Sequence, residues 1–407
     1  MLRKALWTIS AAIALAGPAA AQLAVPQLPL PQLPGVQIDG VLETLDVQVG
    51  ARAAQLLQLR ERALDRLLRD NRDRIERDRF GDLARRGELL VMDVEDAALA
   101  QAVAAGFTVI ERTTVEGLDL AVIRLAVPPG MALGKAQAKL EQLLPGATIS
   151  ADNLHLGAGT AARATAFAAR GASSRAIATS VGVIDGGVGS AAPVRMQRGF
   201  ASGAPRASNH GSAVVSLLSA AGVRDVRLAD VYGSDPAGGN ALAIARALGW
   251  LTQGGAKVVT ISLVGPRNPV LARAIGTAQQ RGVVIVAAVG NDGPAAPPAY
   301  PASYDNVVSV TGVDRRNRPL IEAGRALHLD YAAPGADLWA QNAAGRAGPV
   351  RGTSYAAPLV AARLAAALDL GPAWRPHLDA EALDLGARGP DKLYGRGLLC
   401  SACRPAR

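Results

Sequence analysis

The chain has 407 residues and a formal net charge of +9, with 50% hydrophobic, 19% charged and 3% aromatic residues. A chain this apolar folds around a core, and its length suits two or three domains. Two cysteines exclude a disulfide scaffold and any Cys-rich zinc module, and the positive charge is arginine interleaved with acids, with no long basic run that would ask for a nucleic acid.

In chain order, Arg3 and Lys4, the apolar stretch Ala5–Leu15 and the small residues Ala19, Ala20 and Ala21 read as a signal peptide over 1–21. The protein is therefore expected to be exported, to the periplasm or outside the cell. No later stretch has about 18 uninterrupted apolar residues, so no membrane span is expected. Residues 22–40 form a linker, with Pro26, Pro29, Pro31 and Pro34 close together. Leu56, Leu59, Ala63 and Leu67 recur at helical spacing, which predicts a charged helical segment over 41–86. Its alternating charges, three or four apart, either bind an anionic surface or pair with one another in solvent; the self-pairing favours the second.

Residues 87–156 change rhythm. Glu88–Val94 reads as a strand, Asp96–Ala105 as a helix, Phe107–Thr113 and Leu118–Ala126 as strands, Leu133–Leu144 as a helix and Ala147–Ser150 as a last strand. The order β-α-β-β-α-β is the ferredoxin-like plan of a small α+β domain. Residues 157–177, rich in Ala, Gly, Ser and Thr, read as a linker. From 178 to 395, apolar strands alternate with helices: Val181–Ile184, a helix after Gly211, Val226–Val231, a helix over 240–252, Lys257–Ser262, a helix over 269–281, Val283–Ala288 and Val307–Val313. That alternation predicts an α/β fold with a mostly parallel sheet covered on both faces. Residues 396–407 read as a tail.

Four segments could carry chemistry. Asp185 ends a buried strand, where open α/β sheets place their sites. The overlapping Gly187-x-Gly189-x-x-Ala192 fits a dinucleotide fingerprint, but no acid follows at about 20 residues and Pro193 spoils the required helix. His210, one of four histidines, opens an apolar helix in Ser208-Asn209-His210-Gly211. Asn291 offers an amide donor at another strand end. Ser354 starts an alanine-rich helix, whose free N–H groups favour negative charge. Each residue has a plain structural reading as a cap or turn former. Together they match a serine activated by an imidazole base that an acid orients. The order Asp, His, Ser is the subtilisin order, and no G-x-S-x-G elbow is present.

The sequence resembles the subtilisin-like serine proteases, the subtilases. VGVIDGG is similar to the family's Asp motif, NHGSAVVSLL to its His motif, AAVGNDGP to its oxyanion Asn motif and GTSYAAPLVA to its Ser motif. The resemblance covers about residues 178–370. It implies a subtilisin-like three-layer fold and a serine endopeptidase with Asp185, His210 and Ser354 as triad and Asn291 assisting the oxyanion. It also implies that substrate pairs as a strand with Ser262, Leu263 and Val264, with Gly238 and Gly239 on its other side. The 87–156 domain is similar to the family's inhibitory, chaperone-like propeptide. The expected partners are protein or peptide substrates and the protein's own N-terminal domain, on a monomer, with no nucleic acid. No cofactor and no metal site is expected. The alternative is a catalytically silent subtilase-fold scaffold or a permanently inhibited zymogen-like protein.

Several residues depart from the family pattern. Gly186 stands where Thr or Ser is usual, and the Asp185–His210 spacing is short, without a loop that often helps bind calcium. Val264, Val289 and Ala299 replace smaller or differently shaped residues near the specificity pocket, which implies a narrow pocket for small or medium apolar residues. The 53 residues after Ser354 are too few for a membrane barrel of eight strands at about 9–11 residues each. Cys400 and Cys403 lie close enough in sequence for a local disulfide.

Overall fold

The computed structural model describes residues 38–157, 160–161, 176–190 and 192–403, with side chains outside the description at 38–50, 160–161 and 402. The expected signal peptide and most of the Pro-rich linker lie outside these residues. The chain falls into two compact units, 1–48 and 49–407; of the first, only the start of a helix is described.

That helix, α1 (Ile38–Asp70), leads to β1 (Ile75–Arg77), β2 (Leu83–Met92), α2 (Asp96–Ala104), β3 (Thr108–Val115), β4 (Leu120–Ala126), α3 (Leu133–Leu143) and β5 (Thr148–Asn153). The helical reading of 41–86 therefore holds only to Asp70. Beyond it the charges alternate as they would on a helix, but Ile75, Leu83 and Ala84 are buried, and β1 pairs antiparallel with β2. The deciding partner is a strand, which helical spacing cannot reveal. Within α1, Leu59 is 52% exposed. The half-buried stripe is instead Ala53, Leu56, Leu57, Arg60, Leu64, Leu67 and Leu68, spaced by three and four as one helix face requires.

The five strands form one antiparallel sheet. Its period of two divides it cleanly. Leu89, Val91 and Leu125 pack with Leu99 of α2 and Leu133 and Leu140 of α3. Their neighbours Leu90, Met92 and Val122 face the other way, into a second cluster shared with the larger half of the molecule.

That half continues through β6 (Leu156–Gly157), β7 (Thr160–Ala161), β8 (Val181–Asp185), β9 (Met196–Gly199), α4 (Asn209–Ala220), β10 (Val226–Asp230), α5 (Ala241–Gln253), β11 (Val258–Ile261), β12 (Leu263–Val264), α6 (Pro269–Gln280), β13 (Val284–Ala288), β14 (Val308–Val313), β15 (Tyr331–Pro334), β16 (Leu338–Gln341), β17 (Ala347–Arg351), α7 (Thr353–Leu368) and α8 (Trp374–Glu381). Seven strands make a wholly parallel sheet in the order β15-β14-β13-β11-β8-β10-β9. Every residue of β8, β11 and β14 is buried, because α4 and α7 cover one face and α5 and α6 the other. The expected α/β fold with a mostly parallel sheet is what forms. The sequence read as a loose linker over 157–177 opens with two short strands, β6 and β7; residues 158–159 and 162–175 lie outside the described ones. The end of the chain is less of a tail than its sequence implied: Leu398 and Leu399 are buried and Cys400 is bonded to Cys403. No described helix is long and apolar enough to cross a membrane.

The smaller sheet rests on α5 and α6 through matched polar groups. Leu242 donates its N–H to Asp152 Oδ1 (3.0 Å), and Asn268 Nδ2 donates to the Ala151 carbonyl and to Asn153 Oδ1 (both 2.9 Å). At the β3–β4 turn the approach is backbone to backbone. Gly117 sits at φ +73°, and a Cβ there or on Gly249 of α5 would strike the opposite carbonyl, Gly249 O or Glu116 O. Gly249→Ala is thus expected to lower the melting temperature of the full-length chain. In protein freed of the smaller sheet nothing opposes the methyl group, and the same change should stabilise α5 by about 0.5–1 kcal/mol. Melting curves of both forms check the opposite signs.

Candidate active site

Asp185 is the last residue of β8 and 1% exposed. Its carboxylate accepts the Gly186 N–H (2.7 Å) and lies 2.9 and 2.8 Å, through Oδ1 and Oδ2, from Nδ1 of His210, 25 positions away. This pairing fixes the ring as the tautomer that donates from Nδ1 and leaves Nε2 as the basic nitrogen. His210 sits in the first turn of α4, which begins there because Ser208 Oγ accepts the Gly211 N–H at 2.9 Å. Gly186 is explained by the same hydroxyl: a Cβ on Gly186 would stand 2.6 Å from Ser208 Oγ.

Ser354 is the second residue of α7 and fully buried. The helix is entered through Gly352 at φ +139°, a backbone state reserved for glycine. Asn291 follows β13. Its Oδ1 accepts the Thr353 N–H (2.9 Å), and Thr353 Oγ1 donates to the Gly290 carbonyl (3.0 Å). The Tyr355 ring lies beside His210, its centroid 5.5 Å from that of the imidazole. The Ser354 hydroxyl does not bond His210; it donates at 3.4 Å to the Ser262 carbonyl, and His210 Nε2 is buried without a hydrogen-bond partner.

The cleft holds a segment of the protein itself. Leu156 and Gly157 pair antiparallel with Val264 and Leu263. On the other side His155 donates its N–H to the Gly239 carbonyl (2.8 Å), and Leu154 bridges Asn240. Three positions after Gly157, Thr160 and Ala161 pair with Arg351 and Val350, just before Ser354. Leu263, Val264 and Gly239 thus contact this strand. Ser262 meets Ser354 instead. Gly238 shapes the turn, giving its N–H to Asp235 (2.9 Å). The sequence reading passed over Tyr232, which donates its hydroxyl to the His155 carbonyl (2.7 Å), and Gly265, where a Cβ would stand 2.6 Å from the His155 ring. A glycine directly after the Ser262–Val264 run was the available signal. Burial pushes His155 down to about 4, against the nearby carbonyls of Asn153, Pro266 and Gly239. It is fully buried and neither ring nitrogen makes a hydrogen bond. Val264 lies against Gly290, its Cγ1 3.2 Å from where a Gly290 Cβ would lie. Among the described residues no group of acids, histidines or cysteines is arranged to hold a metal.

Residues 178–397 match the family model of the subtilases. The chain belongs to the subtilase family. It is a subtilisin-like serine endopeptidase, similar to Subtilisin Savinase of Lederbergia lenta (32% identity over 47% of this chain and 71% of that one). It is also similar to an alkaline protease of Shouchella clausii (32% identity, 47% of this chain and 50% of that one). The fold resembles that of fervidolysin from Fervidobacterium pennivorans, a keratinolytic enzyme (TM-score 0.62, 18% identity, 78% of this chain and 60% of that one). It also resembles the epidermin leader peptide processing protease of Staphylococcus aureus (TM-score 0.58, 17% identity, 77% and 96%).

In this subtilase, burial alone would lower the His210 pKa, but the charge and hydrogen bond of Asp185 outweigh it and hold the ring above its ordinary 6.5. A base must be neutral to accept a proton, so a rate that depends on His210 falls with pH through that raised value. The acid limb of kcat/KM is expected above pH 6.5. Asp185→Asn should move it down and cut the rate steeply, as seen in a pH profile of peptide hydrolysis.

Proposed function

We propose that this subtilase is an exported endopeptidase made as a self-inhibited precursor, with Asp185, His210 and Ser354 as its triad. Ser354 Oγ attacks the scissile carbonyl while His210 Nε2 takes its proton. The Asn291 amide and the Ser354 N–H stabilise the oxyanion. His210 then returns the proton to the leaving amine, and water repeats the sequence on the acyl ester. Rotation of the Ser354 side chain exchanges its long bond to Ser262 for Nε2, which the buried, partnerless nitrogen favours. Asp185 holds the tautomer and offsets the imidazolium charge.

The observation that carries this reading is the strand in the cleft. Its pairing with Gly239 on one side and Leu263–Val264 on the other is how an extended peptide adds to a sheet edge. The bond presented to Ser354 then lies between Gly157 and Thr160. Residues 87–156 act as the inhibitory and folding domain, and 178–395 as the peptidase. The clamp extends to α1: a Cβ on Gly293 would lie 3.0 Å from Leu56, and Arg60 Nε donates to Asp292 Oδ2 (3.1 Å), beside Asn291. At 24% and 39% side-chain exposure that ion pair is worth little by itself, so the Leu56 contact and the cluster of Leu64, Leu67 and Leu68 with Leu154 and Ala237 supply most of the hold. The signal-like residues 1–21 support export, and a monomer suffices for the site. A silent scaffold is the second reading, favoured by the missing bond between Ser354 and His210.

Secreted protein is expected to show a new N-terminus at residue 158, 159 or 160 by mass spectrometry, and to be labelled by a fluorophosphonate. Ser354→Ala should remain full length and unlabelled. Unlabelled wild-type protein freed of its N-terminal region would decide for the scaffold. Each candidate bond follows a glycine or alanine, in keeping with a pocket narrowed by Val264. Val264→Gly should raise kcat/KM for peptides with Phe before the cut by about tenfold or more relative to Ala, and a preference for aromatic residues in the unaltered enzyme would overturn the narrow pocket.

A further inference from the structure

Pro358 is the sixth residue of α7, four after Ser354. At that spacing a helical residue donates its N–H to the carbonyl of Ser354, and proline has no N–H to give. The carbonyl of Ser354 is therefore deprived of its in-helix donor, inside the core, where an unmatched acceptor is costly. The donor comes from outside the helix. Ser262, 1% exposed at the end of the β11 run, donates its Oγ hydrogen to Ser354 O at 3.0 Å. Its own carbonyl receives the Ser354 hydroxyl. One residue thus holds the nucleophile's backbone through its side chain and the nucleophile's side chain through its backbone.

We infer that the Ser262 hydroxyl is a positioning group for Ser354, compensating for the hydrogen bond that Pro358 removes. The inference rests on the reading of Ser354 as nucleophile. The hydroxyl is committed to the Ser354 carbonyl; it fixes where the first turn of α7 sits, and with it the Ser354 Oγ and N–H. Two features follow from the geometry alone. The effect belongs to kcat, because Leu263, Val264 and Gly239, which pair with the bound strand, are left as they are. And the effect depends on Pro358, because a residue with an N–H at 358 makes the outside donor redundant.

A double-mutant cycle on the processed enzyme tests this. Ser262→Ala is expected to lower kcat by about tenfold, equivalent to about 1.4 kcal/mol, with KM unchanged. Ser262→Thr, which keeps the hydroxyl, should retain most of the rate. In a Pro358→Ala background the same Ser262→Ala change should cost no more than about threefold. Equal losses in both backgrounds would overturn the inference, and so would a loss that appears in KM. If Ser262→Ala protein is not recovered folded, the cycle is run with Ser262→Cys, whose thiol is a weak donor of similar size, under the same criteria. Fluorophosphonate labelling of the unaltered enzyme separates the two levels: no labelling removes Ser354 as nucleophile, whereas labelling without coupling between 262 and 358 removes only the role of Ser262.

Discussion

The pairing of Asp185 with His210 is the constraint around which the site is built. A carboxylate this deeply buried would be costly without partners, and it has two: the Gly186 N–H and the imidazole. Neither can be supplied locally by β8. The chain must travel 25 residues and return with a helix whose first turn faces the end of that strand. Ser208 starts α4 where the ring can reach, and Gly186 leaves Ser208 the space to do so. A wholly parallel sheet makes the arrangement possible because all its strands end on one edge, so β8, β11 and β13 deliver Asp185, Ser262 and Asn291 to a common crevice.

In the proposed reading, the same edge explains why inhibitor and substrate take the same shape. Both are read through backbone groups, and backbone groups do not distinguish one sequence from another. Selectivity must come from what lies beside the strand, such as Val264 at Gly290 and Gly265 and Tyr232 around His155. In the proposed reading, residues 154–157 inhibit because of the sheet attached to them, held at the starts of α5 and α6 by Asp152 and Asn153 and at Asp235 by Arg85 (2.6 Å).

Much of this was legible in the sequence, for a physical reason. The parallel strands are buried on both faces and so read as short apolar runs, and the order β-α-β-β-α-β stood out in 87–156 because its helices and strands keep distinct periods. Asp185, His210, Asn291 and Ser354 could be picked out because each sits at the end of such an element. The misreadings have two causes. Residues 75–77 fold back on their own neighbours, Ile75 pairing with Arg85, whereas Arg60 and the short strands β6 and β7 take their structure from partners far away in the chain, such as Asp292 for Arg60, 232 positions on. Local pattern carries no trace of those partners. Leu59 fits the helical spacing of apolar residues yet is exposed, whereas Arg60 lies on the half-buried face and reaches a remote carboxylate.

Two buried ionisable groups at the junction show why its hold on the cleft is not a simple function of acidity. Burial lowers His155 to about 4, so as pH falls from 6.5 the released segment binds protons that the docked one refuses, and docking weakens until about pH 4. Burial raises Asp152 to about 6, with the Leu242 N–H and Arg85 opposing it. The docked Asp152 therefore binds a proton before the released one does, and docking strengthens as pH falls from about 6 towards 3.8. The windows overlap and the signs are opposite. His155 and Asp152 therefore offset one another over most of that range. In the proposed maturation, opening the cleft then depends on removing the apolar and backbone contacts, which a cut between Gly157 and Thr160 would begin and loss of the α1 stripe would complete.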